Sequence, residues 1–276
     1  MSEQSIVEQT PRLLHRESLA DDLRRLGLSA GMTVLVHSSL SRLGWICGGP
    51  VAVIQALQNV VTEEGTIVMP AHTADYSDPS YWQAPPVPES WWEPIRETMP
   101  AFDPNMAPTR QMGIIAETFR KCEGVRRSYH PSVSFCAWGK HAEIITNDHR
   151  LDESLGEGSP LARVYDLDGW VLLLGVDYDN HTSFHLAEYR MNNREMQLYG
   201  APILEQGQRV WKTYTDVATS DEDFDQLGAD FERVHTDSVN VGKVGISTSR
   251  FMKQRVSVDY ATAWFNNHRQ RSTSSS

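Results

Sequence analysis

The 276-residue chain is poor in cysteine, has no long apolar run and carries no excess of positive charge. Its three cysteines, Cys47, Cys122 and Cys136, form no CxxC pair, and an odd number argues against a disulfide framework. The longest apolar stretch, residues 170–176, is far shorter than the roughly 20 residues that cross a bilayer. The first residues, MSEQSIVEQTPR, lack the basic and apolar regions of a signal peptide. These absences predict a cytoplasmic protein.

The charge balance is acidic, because 25 Lys and Arg residues stand against 36 Asp and Glu residues, a net charge of −11. A field of this sign repels nucleic acid and anionic membranes and attracts cationic ligands. It also promotes solubility, so the charge alone does not establish a cationic partner. We therefore expect no nucleic-acid or membrane partner.

The order of elements near the start of the chain indicates an α/β protein. Residues 33–36 (TVLV) predict a buried strand, an amphipathic helix follows Pro50, and residues 65–70 predict a second strand. A strand–helix–strand unit of this kind belongs to a largely parallel sheet. We therefore predict an α/β fold with a large, mixed central sheet flanked by helices.

The rest of the chain adds further elements and two unusual segments. Further helices are predicted at residues 17–26, 112–120, 142–145, 182–191 and 259–268, and further strands at residues 132–137, 170–176 and 243–250. Residues 1–10 are polar and expected to be loose.

Residues 71–108 carry eight prolines and predict a long insertion with little regular structure, whereas residues 201–217 alternate as in a β-hairpin. We expect the inserted loops and the hairpin to form a cleft for an acceptor substrate. The whole is predicted to be one domain over residues 1–268, followed by a flexible tail over residues 269–276.

The segment HTSFHLAE at residues 181–188 is the strongest local signal for catalysis. On a helix, His181, His185 and Glu188 share one stripe, just beyond the carboxyl end of a strand, where open α/β sheets bind ligands. His185 can act there as a general base, with Glu188 fixing its tautomer and stabilising the imidazolium. Two alternatives stay open. His185 and Glu188 could be structural, or the three residues could hold a metal, although HExxH is absent because Thr182 occupies its glutamate position.

Two other segments have the chemistry to hold phosphate groups. Residues 37–39 (HSS), with Gly48 and Gly49 opening the next helix, offer hydroxyls and backbone amides. They match neither GxGxxG nor a P-loop, so a dinucleotide or nucleoside triphosphate site is not supported. Residues 126–131 (RRSYHP) offer the fork geometry of arginine. The alternatives are an ordinary strand-to-helix turn and a solvated basic loop.

Six blocks of sequence, taken together, identify a protein family more specifically than any single block does. They are VLVHSSLSRLGWICGG at 34–49, GTIVMPAHTADYSDP at 65–79, PAFDPNMAPTRQMGIIAETFR at 100–120, RRSYHPSVSFCAWG at 126–139, LGEGSPLARV at 155–164 and VLLLGVDYDNHTSFHLAE at 171–188. In this order they resemble the aminoglycoside 3-N-acetyltransferase family, a group of antibiotic N-acetyltransferases. Six ordered blocks are too many for a chance match.

This resemblance implies transfer of an acetyl group from acetyl-coenzyme A to an amine. It adds nothing to the metal alternative, and we expect no metal. It implies that His185 is the base, Glu188 its partner and Thr182 a hydrogen-bond donor near the thioester. The residues that it places at the coenzyme are His37, Ser38, Ser39, Gly48, Gly49, Arg127, His130 and Ser134. Transfer is expected to be direct, because the sequence offers no convincing nucleophile.

An aminoglycoside is a polycation, and acidic side chains in the expected acceptor loops suit it. These are Asp75, Asp103, Asp177, Asp179, Asp216 and Glu222. Three alternatives remain: an acetyltransferase for another amine, a metal-dependent hydrolase, and a module that binds cationic drugs without modifying them. The sequence does not define the oligomeric state, and a homodimer is one alternative.

Overall fold

The computed structural model describes residues 2–269. The strands are β1 (Thr33–Ser38), β2 (Thr66–Pro70), β3 (Arg126–Arg127), β4 (Phe135–Gly139), β5 (Trp170–Leu174), β6 (Met196–Glu205), β7 (Gln208–Val217), β8 (Val239–Val244) and β9 (Ser247–Lys253). The α-helices are α1 (Glu3–Glu8), α2 (Arg16–Leu26), α3 (Leu40–Leu43), α4 (Gly49–Val61), α5 (Trp92–Thr98), α6 (Gly113–Phe119), α7 (Ala142–Thr146), α8 (Pro160–Asp166), α9 (Ser183–Arg190), α10 (Phe224–Val234) and α11 (Gln254–His268).

Within the described residues, seven strands form one mixed sheet in the order β3–β4–β2–β1–β5–β9–β8. Strand β1 pairs in parallel with β2 and β5. Strand β4 beside β2, and β9 beside β5, run antiparallel. The predicted mixed α/β sheet is confirmed, and its parallel centre follows from helical connections such as α4 between β1 and β2.

Helices cover both faces of this sheet. Val34 and Val36 of β1 belong to one buried cluster, which includes residues of α2, α4 and α6. Leu35, between them, belongs to a second buried cluster, which includes residues of α8, α9, α10 and α11. Since side chains along a strand point alternately to opposite faces, a short apolar run such as TVLV fills both cores.

The predicted hairpin is confirmed as β6 and β7, which form a separate two-stranded sheet. It packs on the proline-rich insertion. The Phe102 N–H donates to the Pro202 carbonyl at 3.0 Å, and the Tyr81 hydroxyl donates to the Leu198 carbonyl at 3.0 Å. The insertion contains α5 and two short 3-10 turns, in agreement with its proline content.

Two local predictions are wrong. Residues 1–10 contain α1, and the Thr10 hydroxyl beyond it accepts the Trp45 N–H at 2.8 Å. Residues 243–250 contain the turn between β8 and β9 instead of one strand. Gly245 in this turn has φ +61°, and a Cβ there would lie 2.3 Å from the Leu43 carbonyl oxygen. Gly245 is the turn signal in this segment, and the predicted strand runs through it.

The predicted tail begins at Arg269, yet this residue is placed by specific contacts. Its N–H donates to the Phe265 carbonyl at 2.9 Å, and its guanidinium pairs with Glu188 and Asp223. The remainder of the predicted tail, residues 270–276, lies outside the described residues. Between residues 2 and 269, no helix combines the length and the apolar composition that crossing a bilayer requires.

Candidate active site

A cavity of about 930 Å³ opens at the carboxyl ends of the three parallel strands β1, β2 and β5. Residues at or just after these strand ends line it, namely Val36, His37, Ser38, Pro70, His72, Val176, Asp179 and Asn180. Helix α1 contributes Glu3 and Ile6, and the start of α6 closes another side. The cavity thus lies where parallel α/β sheets bind ligands.

The hairpin β6–β7 was expected to form a wall of the substrate cleft. Among the described lining residues, none belongs to the hairpin, and the insertion 71–108 contributes only His72. The hairpin and the insertion pack on each other instead. The predicted role of these two segments as a wall of the substrate cleft does not apply to this cavity.

His185 and Glu188 lie one turn apart on α9. Nδ1 of His185 is 2.6 Å from Oε2 of Glu188. The Glu188 side chain is 1% exposed, whereas that of His185 is 16% exposed and lines the cavity. A carboxylate at this distance assigns the ring proton to Nδ1. Nε2, which has no hydrogen-bond partner within residues 2–269, is then the nitrogen available to a ligand.

The second oxygen of Glu188 is also occupied. Oε1 accepts the Ser220 N–H at 2.9 Å and a hydrogen bond from the Arg269 guanidinium. A buried carboxylate remains charged only when such partners replace water. Glu188 is therefore held from both sides, by His185 and by residues that follow it in the chain.

His181 does not share the helical stripe with His185 and Glu188, because it belongs to the turn before α9. Its ring stacks on Phe184, and neither ring nitrogen finds a hydrogen-bond partner in the described part of the chain. Burial lowers the pKa of His181 to about 3, so this ring is neutral. Over residues 2–269, no three His, Cys, Asp or Glu side chains are grouped as metal ligands.

Two further histidines line the cavity, His37 and His72. Burial is the main cause that lowers the pKa of His37 well below its usual value and that of His72 to about 3. Nε2 of each ring is buried without a partner among the residues that the structure describes. Sequence reasoning missed His72, although its place just after β2 is the signal that pointed to His185.

Among the residues assigned to the coenzyme, His37, Ser38, Ser39 and Gly49 line the cavity. Gly48 caps the start of α4 next to them with φ +87°, a conformation that favours glycine. Thr182, assigned to the thioester, also lines the cavity.

Arg127, His130 and Ser134 do not line the cavity. Arg127 donates to three backbone carbonyls at 2.6–3.0 Å and to Ser134 Oγ at 3.0 Å. Nδ1 of His130 accepts two backbone N–H groups at 3.1 and 3.2 Å. Arg127 and Ser134 thereby fasten the insertion to the strands β3 and β4, while His130 braces its own loop and its Nε2 is buried without a partner in the described part of the chain.

Of the six acidic residues assigned to the acceptor, only Asp179 lines the cavity. Asp177 pairs with Arg42 at 3.1 Å and with Arg250 at 2.9 Å. Asp216 is buried, accepts the Ser154 N–H at 3.0 Å and lies outside the cavity lining.

The other three assigned acids lie elsewhere. Asp75 pairs with Arg110, Asp103 accepts the Asn105 N–H at 2.8 Å in a turn, and Glu222 is exposed outside the cavity lining. Two acids that sequence reasoning did not select, Glu3 and Asp221, do line the cavity. Asp221 belongs to an acidic run, which was the available signal.

Comparison with known proteins agrees with this geometry. The family model for aminoglycoside 3-N-acetyltransferase matches residues 35–266. The SPbeta prophage-derived aminoglycoside N(3')-acetyltransferase-like protein YokD of Bacillus subtilis is 52% identical over 264 residues, which are 95% of this chain and 96% of YokD. The YokD crystal structure has a TM-score of 0.94 at 50% identity, covering 96% of this chain and 98% of that chain.

More distant relatives match along the whole chain as well. Aminoglycoside N(3)-acetyltransferase VII of Streptomyces paromomycinus is 34% identical over 278 residues, 96% of each protein. A solved structure of AAC-IIIb in binary complex with CoASH has a TM-score of 0.82 at 29% identity, covering 96% of this chain and all of that chain (100%). The predicted family resemblance is confirmed: the chain belongs to the aminoglycoside 3-N-acetyltransferase family, whose members are transferases.

Proposed function

We propose that this chain transfers the acetyl group of acetyl-coenzyme A directly to an amino group of an aminoglycoside, with His185 as the general base. The observation that carries the proposal is the 2.6 Å contact between His185 Nδ1 and Glu188 Oε2 beside the cavity at the strand ends. Membership of the family supports the transfer, and the relative in complex with CoASH supports the donor.

The chemistry requires a base because an ammonium group is not a nucleophile. The amine enters as the free base, or loses one proton to water. As its nitrogen bonds to the thioester carbonyl, its next proton goes to His185 Nε2, directly or through one water. Collapse of the tetrahedral intermediate breaks the C–S bond, and the departing sulfur takes that proton from the imidazolium. The products are the amide and the free thiol, and Glu188 stabilises the imidazolium in between.

The intermediate carries an oxyanion, which needs a hydrogen-bond donor. Thr182, in the cavity lining beside His185, is the proposed donor. Ser38, Ser39 and the start of α4 at Gly48 and Gly49 are proposed to face the coenzyme. Helix α4 is 13 residues long, and its free backbone amides at that end suit a pyrophosphate.

Direct transfer is supported by the placement of the thiols, none of which belongs to the described cavity lining. Burial raises the pKa of Cys136 to about 12 and also raises that of Cys122. Cys47 is exposed at the surface. A thiol with a raised pKa is a poor acetyl carrier at neutral pH, because the thiolate is the nucleophile.

Recognition of the acceptor is proposed to depend on the carboxylates of Asp179 and Asp221 in the cavity lining. With Glu3, these groups give the lining three carboxylates against the one guanidinium of Arg42, an excess of negative charge that attracts a polycation. Asp177 contributes less, since its charge is already paired with two arginines.

The test is release of free thiol from acetyl-coenzyme A with a panel of aminoglycosides. His185→Ala is expected to lower the rate by about 10²–10⁴-fold and to leave coenzyme binding intact. His141→Ala, at the start of α7 and outside the cavity, is the matched control. A His185→Ala rate above half that of the wild type would remove His185 as the base.

The panel also separates the alternatives. Coenzyme binding with thiol release only from other amines would identify a different acceptor for the same reaction. Binding of an aminoglycoside that is indifferent to acetyl-coenzyme A and to the loss of His185 would identify a module that sequesters the drug.

A further inference from the structure

Arg269 lies directly after α11 and contacts the candidate catalytic pair at the Glu188 oxygen that does not face His185. Its guanidinium donates to Glu188 Oε1, while Nε donates to Asp223 Oδ2 at 2.8 Å. Nη2 donates to the Ser220 carbonyl at 2.8 Å. The guanidinium also lies over the ring of Phe265, 4.0 Å from its centroid. A side chain held by this many groups has a single orientation.

The two carboxylate oxygens of Glu188 have different partners. Oε2 faces His185, and Oε1 receives the Ser220 N–H and the Arg269 guanidinium. Because the Glu188 side chain is only 1% exposed, water does not supply the stabilisation that its charge needs. Arg269 is the cation that offsets this loss of solvation and also fixes the plane of the carboxylate.

We propose that Arg269 is a positioning residue for the reaction. It holds the Glu188 carboxylate in one orientation, so that His185 keeps the ring proton on Nδ1 and presents Nε2 to the cavity. The same guanidinium ties the segment 220–223, which carries Asp221, to this pair. The catalytic consequence rests on the proposed function, whereas the arrangement of the three side chains does not.

The electrostatic consequence has a definite sign. The imidazoles around His185 are His37, His72 and His181, all neutral because burial lowers their pKa. The charged groups around His185 are Glu188, Arg269 and Asp223, together with the cavity acids Asp179 and Asp221. Removing Arg269 leaves an unbalanced negative charge, which favours the protonated imidazole and so opposes its action as a base.

The experiment compares variants of the whole protein. Arg269→Ala is expected to lower kcat by about 10–100-fold, with both KM values within about threefold, and to move the acid limb of kcat to higher pH. Arg269→Lys should retain part of the activity because it keeps the charge, and added guanidinium ion should restore part of the rate of Arg269→Ala.

Two controls isolate the contact. A chain that ends at residue 271 loses residues 272–276, keeps the guanidinium and adds no terminal carboxylate to Arg269 itself, and should have the wild-type kcat and pH profile. Arg255→Ala removes an arginine from α11 that contacts Tyr165 and Asp168, and should behave likewise. Thermal unfolding of each variant separates a loss of fold from a loss of positioning.

A readout without substrate keeps this inference separate from the proposed function. The ring-proton NMR resonances of His185, identified by their loss in His185→Ala, should titrate at higher pH in Arg269→Ala than in the wild type. An unchanged titration together with an unchanged kcat profile would overturn the proposal. If the wild type acetylates no aminoglycoside, the titration alone still decides whether Arg269 acts on the pair.

Discussion

His181 lies face to face with Phe184, the ring centroids 4.0 Å apart and the planes 4° from parallel. Four residues further on, His185 is partly exposed and paired with a carboxylate. Two histidines of one short segment therefore have different environments: His181 is buried in the core, and His185 faces the cavity. This difference can be tested by stability against pH.

Replacing His181 by Phe should remove an acid-sensitive group from the core. The unfolded chain binds a proton at this ring below about pH 6.5, whereas burial lowers the pKa in the folded chain to about 3. Because the unfolded state binds more protons in that window, the free energy of unfolding falls as pH falls from about 6.5 towards 3.

For His181 this loss is about 2 kcal/mol between pH 7 and pH 5. Urea denaturation should show a pH dependence smaller by that amount in His181→Phe. The variant should still be sensitive to acid through His72 and His149, whose pKa values are lowered to about 3 and about 4. An identical pH dependence in wild type and variant would mean that His181 is solvated or protonated in the folded protein.

Glu188→Gln keeps the shape of the side chain and removes its charge. The amide no longer stabilises the imidazolium, and its NH₂ group can face Nδ1 and reverse the tautomer, so kcat should fall by roughly 10²-fold or more. Steady-state kinetics with saturating acetyl-coenzyme A measures this. Glu157→Gln, which loses a surface pair with Arg190 at 2.7 Å, is the control and should retain kcat. Near-normal kcat in Glu188→Gln would make Glu188 a structural acid.

Asp221→Asn should weaken binding of the acceptor and leave binding of the coenzyme unchanged. Loss of one carboxylate from the cavity lining is expected to raise the KM for a polycationic acceptor roughly three- to tenfold, and to reduce its dependence on salt. The KM for acetyl-coenzyme A serves as the internal reference. Asp237→Asn, outside the cavity, is the matched control. Equal effects of the two variants on the acceptor would show that only the net charge matters.

Arg127→Lys distinguishes a coenzyme ligand from a structural clamp. Lysine keeps the charge but lacks the fork that reaches three carbonyls and Ser134 Oγ, so the free energy of unfolding should fall by about 2–4 kcal/mol. The Kd for acetyl-coenzyme A, measured by calorimetry on the folded variant, should stay within about threefold of wild type, because no guanidinium–phosphate pair is lost. A large rise in Kd at unchanged stability would restore the role that the sequence predicted.

Features with a local cause were predictable from the sequence. The apolar run at 170–176 became β5, and the amphipathic pattern after Pro50 became α4. The contact between His185 and Glu188 also has a local cause, because residues three apart on a helix are neighbours. Parallel pairing of β1 and β5 then places this helix at the carboxyl edge of the sheet.

Features that depend on distant partners were not predictable. Arg127 looks like part of a phosphate-binding loop, but its acceptors lie 23 and 56 residues away in the chain, at Pro104 and Ala71. Asp216 finds Ser154 across 62 residues, and Arg269 finds Glu188 across 81. A charged side chain has the same local sequence whether it faces solvent or a buried partner, so only the tertiary structure decides which.

The arrangement of the central sheet limits how this enzyme could change its substrate. Only β2, β1 and β5 run in one direction at the centre, while their neighbours β4 and β9 run the other way. The loops that leave β4 and β9 therefore emerge at the opposite edge. Selection for a new acceptor, in nature or in the laboratory, would act mainly through the segments that follow β2, β1 and β5, together with the two segments that bring Glu3 and Asp221 to the cavity. The flanking strands can then preserve the scaffold while those segments diverge.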